Sequence, residues 1–283
     1  MQKLSRALTA ALATLPFAVF ADQGSFASDG VEIHYNDEGT GPAVVYLHAL
    51  GGTSTLWESA GLAPLDGRRT ITFDARGHGA SDKPRGADAY GARMVDDLAA
   101  LLEDRGIDAA HIVGYSMGAE TALAFAVEHP ERVLSLTVAG SGWSGEVQAG
   151  TYGFVAQALS GSATFGGFMA AVAPKGVELT PEAQAGMMAL LTGHGIDPRQ
   201  QTAPLAAAAA AMPEIIDLTA EDLARFDFPV LGLAGERDEE RANVEKLAEG
   251  IADYRFVMVP EADHLMAPLS PVYIEAVKEF LTE

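Results

Sequence analysis

The sequence predicts an α/β fold, with a mostly parallel sheet flanked by helices and a further block of helices inserted late in the chain. Three observations predict it. Short apolar runs alternate with segments of helical spacing, the pattern of strands joined by crossover helices. The run Gly114-Tyr115-Ser116-Met117-Gly118 joins an apolar segment to a helical pattern rich in small residues. The alternation then lapses over residues 144–227, where Ala, Gly and Met dominate, and resumes before the end.

The first 21 residues stand apart from this pattern. Lys3 and Arg6 make a short basic start, residues 7–20 are mostly apolar, and Val19-Phe20-Ala21 places small residues at the −3 and −1 positions of a cleavage site. This is the pattern of a secretory signal peptide cleaved after Ala21, and it is too short for a membrane span. The expected location is secreted or periplasmic. Removing residues 1–21 takes away two cations and no acid, so the net charge moves from −21 to −23. Such a surface repels nucleic acid and anionic headgroups, so neither nucleic acid nor, once the signal is gone, a membrane is expected as partner. The chain has no cysteine, which excludes a disulfide framework, a thiolate nucleophile and a Cys-based metal site.

Residues 25–27 and 31–35 read as a hairpin around Ser28-Asp29-Gly30, a good turn sequence. Residues 43–47 are continuously apolar, as expected of a strand buried on both faces, and residues 70–74 form another strand. Helical spacing over 91–104 stops at Gly106. Next come the strand at 110–113, the helix after Ser116 that ends at His129-Pro130, and the strand at 133–138. Thr180-Pro181-Glu182 is a helix start within the inserted block, a cap followed by proline at the first position. Strands at 229–234 and 255–259 and helices at 239–250 and 270–281 complete the chain. The expected organisation is a core of residues 22–143 and 228–283 with a helical cap at 144–227, over the carboxyl edge of the sheet where such folds place their sites.

Ser116 is the first candidate functional residue. A sharp strand-to-helix turn with glycine two residues either side raises the serine side chain beside a helix N-terminus, the geometry of a nucleophile elbow. A serine hydroxyl is a poor nucleophile at neutral pH and needs a base, a group that orients the base, and donors for an oxyanion. Of seven histidines, only His264 follows the final strand and precedes the last helix; His34, His48, His78, His111, His129 and His194 lie elsewhere. Asp238, in the loop after the strand at 229–234, is the leading acid, with Glu146 as the fallback. Asp263 adjoins His264, and neighbouring side chains in an extended loop diverge. The oxyanion donors expected are the backbone N–H groups of Met117 and Leu50.

The chain resembles the α/β-hydrolase superfamily, in particular its cap-bearing esterase, lactonase and cofactor-free haloperoxidase branch. The matching stretches are Tyr46 through Gly52 with Trp57, Asp74 through Ser81, Gly114 through Gly118, Pro229 through Asp238, and Asp263-His264. The family's usual His-Gly pair is His48-Ala49 here. The resemblance implies a Ser116–His264–Asp238 triad, no metal and no other cofactor, and a small-molecule ester or lactone as substrate. Ser116 in place of an aspartate argues against haloalkane dehalogenase and epoxide hydrolase reactions, which need a carboxylate nucleophile. A perhydrolase with the same triad and a slow-turnover ligand-binding homologue are the alternatives. Between Val147 and Pro213 only Lys175, Glu178, Glu182, Asp197 and Arg199 are charged, while Phe154, Phe165, Phe168, Met169, Met187, Met188 and Met212 supply bulk. The cap is therefore expected to line a mostly apolar pocket.

Overall fold

The computed structural model describes residues 21–143, 146–172 and 180–282. The expected signal segment up to residue 20 lies outside them, as do Lys175 and Glu178, and the side chains of Glu146 and Val147 are likewise not described. One eight-stranded sheet organises the chain, in the order β1-β2-β4-β3-β5-β6-β7-β8. Its strands are β1 (Ala21–Ser28), β2 (Val31–Gly39), β3 (Ala43–Leu47), β4 (Arg69–Phe73), β5 (Ala110–Tyr115), β6 (Val133–Ala139), β7 (Val230–Gly235) and β8 (Tyr254–Val259). The β1–β2 and β2–β4 pairs are antiparallel and all others are parallel.

The β1–β2 hairpin turns at Asp29-Gly30, both with positive φ (48° and 76°), which closes a two-residue loop with the twist the strands need. Strands β3 and β7 are buried at every residue, because helices cover both faces of the sheet. Alternate residues divide between two cores. Val45 and Leu47 of β3 join α2 (Ala92–Asp104) and α3 (Met117–Glu128), whereas Val44 and Tyr46 join α1 (Thr55–Ser59) and α10 (Pro271–Phe280). Trp57 of α1, fully buried against Tyr46, belongs to the second core, and its short helix has no periodic signal in the sequence.

Between β6 and β7 the chain forms α4 (Glu146–Ser160), α5 (Phe165–Val172), α6 (Pro181–Gly193), α7 (Ala203–Ala211) and α8 (Ala220–Leu223). The Thr180 hydroxyl accepts from the Ala183 N–H at 3.2 Å, as the helix-start reading requires. The helix expected over 239–250 is instead a short α9 (Arg241–Glu245) followed by a 3₁₀ turn at Lys246–Glu249. The preceding turn accounts for the late start: the Asp238 carboxylate accepts the Glu240 N–H and the Asp238 carbonyl accepts the Arg241 N–H, which closes a turn before the helix begins.

The stretch from Asp74 to Ser81 is a scaffold. Asp74 accepts the N–H groups of Ser54 and Ala80 at 2.8 Å each, and a Cβ at Gly79 would lie 2.0 Å from its Oδ2. Arg76 reaches across to Asp97 of α2 in a fork of two bonds, 2.7 and 2.6 Å, with both side chains 1% exposed.

Candidate active site

Parallel strands β3, β5, β6, β7 and β8 all end at one edge, so the loops that follow them gather there. Ser116 occupies the turn from β5 into α3 with φ 55° and ψ −121°, a conformation that costs an L-residue roughly 1–3 kcal/mol. Its N–H donates to the Ala139 carbonyl at 2.8 Å, which ties the turn to the end of β6. The flanking glycines are required by contact. A Cβ at Gly114 would meet the Gly118 carbonyl oxygen at 2.4 Å, and one at Gly118 would meet the Leu47 carbonyl oxygen at 2.3 Å.

The loops after β7 and β8 are stitched together by backbone bonds. The Arg237 N–H donates to the Ala262 carbonyl at 2.9 Å and the Glu236 N–H to Val259 at 2.9 Å. Gly235 allows this approach, since a Cβ there would sit 2.4 Å from the Ala262 oxygen. Asp238 and His264 are thereby brought face to face. With its proton on Nδ1, His264 donates to the Asp238 carboxylate, 3.1 Å from each oxygen, and Nε2 accepts from the Ser116 hydroxyl at 3.1 Å. The Asp238 side chain is 1% exposed and also accepts the Glu240 N–H at 3.0 Å. The Tyr115 hydroxyl donates to the His264 carbonyl and its ring lies 5.4 Å from the imidazole, so β5 positions both Ser116 and His264.

Burial alone would pull the His264 imidazole down. The hydrogen bond and charge of Asp238, with the charges of Glu240 and Glu120, outweigh it and hold the pKa above the ordinary value. A base must be neutral to take a proton, so activity should be lost as pH falls through that raised value. The acid limb of kcat/KM is expected above pH 6.5, the ordinary histidine value. Asp238→Asn removes the two largest raising interactions and leaves burial opposed only by the charges of Glu240 and Glu120, so the limb should move to lower pH while kcat drops about 10⁴-fold. A pH–rate profile checks both, and an unmoved limb in Asp238→Asn would argue against the pairing.

Met117, the first residue of α3, has an N–H with no acceptor in its own helix. Leu50 lines the same cavity as Ser116 and His264. Its backbone orientation is set by a residue the sequence offered only as a competing base. His48 is buried, and its Nε2 accepts the Ala75 N–H at 3.0 Å, which leaves the proton on Nδ1 for the Ala49 carbonyl at 2.8 Å. Burial lowers its pKa against the charge of Asp74 and the Ala49 bond, so it stays neutral. The Ala49 carbonyl also accepts the Gly52 N–H at 3.0 Å. In a trans peptide the carbonyl and the following N–H point opposite ways, so these two bonds hold the Leu50 N–H on the side away from His48. Ala49, in place of the glycine of the resembled family, is tolerated because the positive φ of this loop falls on Gly51 (80°).

His48→Ala should lower kcat about 10- to 100-fold with little change in KM, less than the loss of an oxyanion donor outright. His48→Asn, whose amide can reach the Ala49 carbonyl, should recover part of it. Steady-state kinetics decide this, and equal losses in both variants would count against it.

A cavity of about 610 Å³ opens beside Ser116 and His264. The cap residues expected to line it divide three ways. Phe168 and Met169 do line it, Phe165 and Met212 are buried in the core with Met187 partly buried against it, and Phe154 and Met188 are exposed. Apolar content reports that a helix has something to bury, but not against what. Glu120, Ser141 and Tyr152 also line the cavity and were not singled out from the sequence. The available signal was an acid among the small and apolar residues of α3, every one of which from Met117 to Ala126 is buried. Among the described residues no three His, Asp or Glu side chains converge as a metal site.

Residues 42–199 match the family described as alpha/beta hydrolase fold. Among curated proteins, the chain is 39% identical over 127 residues to a 2-hydroxy-6-oxononadienedioate/2-hydroxy-6-oxononatrienedioate hydrolase of Burkholderia vietnamiensis, a match covering 42% of this chain and 44% of that protein. The chain thus spans less than half the length of such relatives. Among solved structures, a hydrolase from Pseudomonas aeruginosa PA01 is 27% identical, covering 93% of this chain and 99% of that one, with a TM-score of 0.76. A thermophilic esterase from Thermogutta terrifontis is 26% identical, covering 93% and 98%, with a TM-score of 0.74.

Proposed function

The chain belongs to the alpha/beta hydrolase fold family, and on that premise we propose that it is a serine hydrolase of small or medium, mostly apolar carboxylic esters or lactones. The observation that carries the reading is the unbroken hydrogen-bonded line from Ser116 through His264 to Asp238 beside a cavity of substrate size. The similarity to an esterase along nearly the whole chain supports it.

In this mechanism Ser116 Oγ attacks the substrate carbonyl as His264 Nε2 takes its proton. Asp238 fixes the imidazole tautomer and stabilises the imidazolium. The Met117 and Leu50 N–H groups receive the oxyanion. His264 then protonates the leaving alcohol, and a water activated by the same nitrogen releases the acid and restores Ser116. The export pattern in the first 21 residues adds the proposal that this chemistry takes place outside the cytoplasm. A fluorophosphonate probe mapped by mass spectrometry should label Ser116, and a panel of acyl chain lengths and lactones should show turnover. Labelling elsewhere, with no ester or lactone turned over, would overturn the proposal. The similarity to a hydrolase of 2-hydroxy-6-oxo acids favours a second reading, cleavage of a carbon–carbon bond next to a ketone, which the same panel tests by including a vinylogous diketone acid.

A further inference from the structure

The cavity beside Ser116 is mixed in composition. Val155, Phe168, Met169 and Val172 contribute apolar surface from α4 and α5. Against that, Glu120 places a carboxyl group in the lining. Glu120 lies in the first turn of α3, four residues after Ser116, which sits in the turn leading into that helix, and both residues line the cavity.

Glu120 is 2% exposed. Its Oε1 accepts the Ser141 hydroxyl at 2.6 Å and its Oε2 accepts the Tyr152 hydroxyl, so both oxygens are held in fixed directions. Those partners come from the loop after β6 and from α4, which makes a structural tie the simpler explanation. Yet a buried carboxyl is a poor tie, because well-packed apolar residues of similar volume stabilise such a position as well or better. The cavity it borders is the one that must receive substrate. Burial raises its pKa to about 7 against the bonds from Ser141 and Tyr152, so it carries substantial negative charge from neutrality upward. Among the described residues, Asp238, Glu239, Glu240 and Asp263 also border the cavity, and Arg237 is the one Lys or Arg there.

We propose that Glu120, oriented by Ser141 and Tyr152, selects substrates that carry an ammonium or hydroxyl group a few bonds from the scissile carbonyl of an otherwise apolar ester or lactone, and rejects those carrying a carboxylate there. This deepens the serine-hydrolase reading and rests on it. The bound group donates a hydrogen bond to the Glu120 carboxylate while the rest of the chain lies on the apolar surface.

Ethyl hexanoate, ethyl 5-aminopentanoate and monoethyl glutarate match in length and end in methyl, ammonium and carboxylate. Acetate esters of alcohols with the same three ends probe the other side of the bond. In one of the two series kcat/KM should favour the ammonium over the carboxylate substrate by about 100-fold, and Glu120→Gln should shrink that ratio about tenfold or more. A residue that serves only as a tie would lower all three substrates together and leave the ratio intact. A ratio unchanged in Glu120→Gln, or a preference for the carboxylate substrate in both series, overturns the proposal. Should Glu120→Gln fail to fold, Tyr152→Phe keeps the carboxylate but frees its direction; the ratio should fall there too, and an unchanged ratio is equally fatal. If no ester is turned over and Ser116 is not labelled, the hydrolase reading fails separately. Calorimetry on Ser116→Ala then still decides the preference: hexylammonium should bind about tenfold more tightly than hexanoate, and equal binding overturns the proposal.

Discussion

Ser116→Ala is expected to reduce ester turnover by roughly 10⁵- to 10⁶-fold at saturating substrate. The substitution removes the atom that forms the acyl-enzyme, while the His264–Asp238 pair and the Met117 and Leu50 amides stay in place. The residual rate should therefore remain about 10³-fold above that in water, the contribution of oxyanion stabilisation and binding alone. Substrate affinity should change little, because Ser116 presents a small hydroxyl to a much larger cavity. Stability should hold as well, since the positive φ at this position is strained for alanine and serine alike. Stopped assays with the purified variant, with circular dichroism as the folding control, check the result. Activity near that of the unaltered chain would remove the basis of the proposed function.

Asp97→Ala should be strongly destabilising although it lies outside the cavity. Arg76 and Asp97 meet in a bidentate pair with both side chains 1% exposed, and the remaining Arg76 contact is to the Ala89 carbonyl at 2.6 Å. Taking away the carboxylate leaves a guanidinium buried with one neutral partner. Such a change costs about 3–5 kcal/mol, a large part of the roughly 5–15 kcal/mol that holds a domain folded. Urea denaturation should show the midpoint falling with little change in slope. Replacing both residues, Arg76→Met with Asp97→Leu, should recover most of the loss, because the penalty comes from the orphaned charge. A single variant as stable as the unaltered chain would show that water reaches Arg76.

The fold was legible because its signals are local. Residues 43–47 read as a fully buried strand and form β3 over the same span, since a strand covered on both faces needs apolar side chains at every position. The β1–β2 turn was legible from Asp29-Gly30, which take the positive φ values the hairpin needs. The helix expected over 239–250 came out shorter, because the Asp238 carboxylate accepts the Glu240 N–H and holds the preceding turn, which no sequence period reports. His48 shows the same limit at the site. From the sequence it is one histidine among seven; in space it fixes the peptide plane that carries the Leu50 N–H.

What the sequence determined by itself is whatever depends on near neighbours: the strand-to-helix turn at Ser116, the glycines that permit it, and the order of strands and helices. The sheet brings Ser116 and Asp238 each within 3.1 Å of the His264 imidazole, on its two sides, across loops far apart in the chain. Only the tertiary structure decided that, and it alone set Glu120 in a cavity wall instead of on a solvated helix face. The physical reason is that periodicity and turn chemistry act over a few residues. Hydrogen-bond geometry, desolvation and cavity shape depend on groups that only the packed sheet and helices bring into contact.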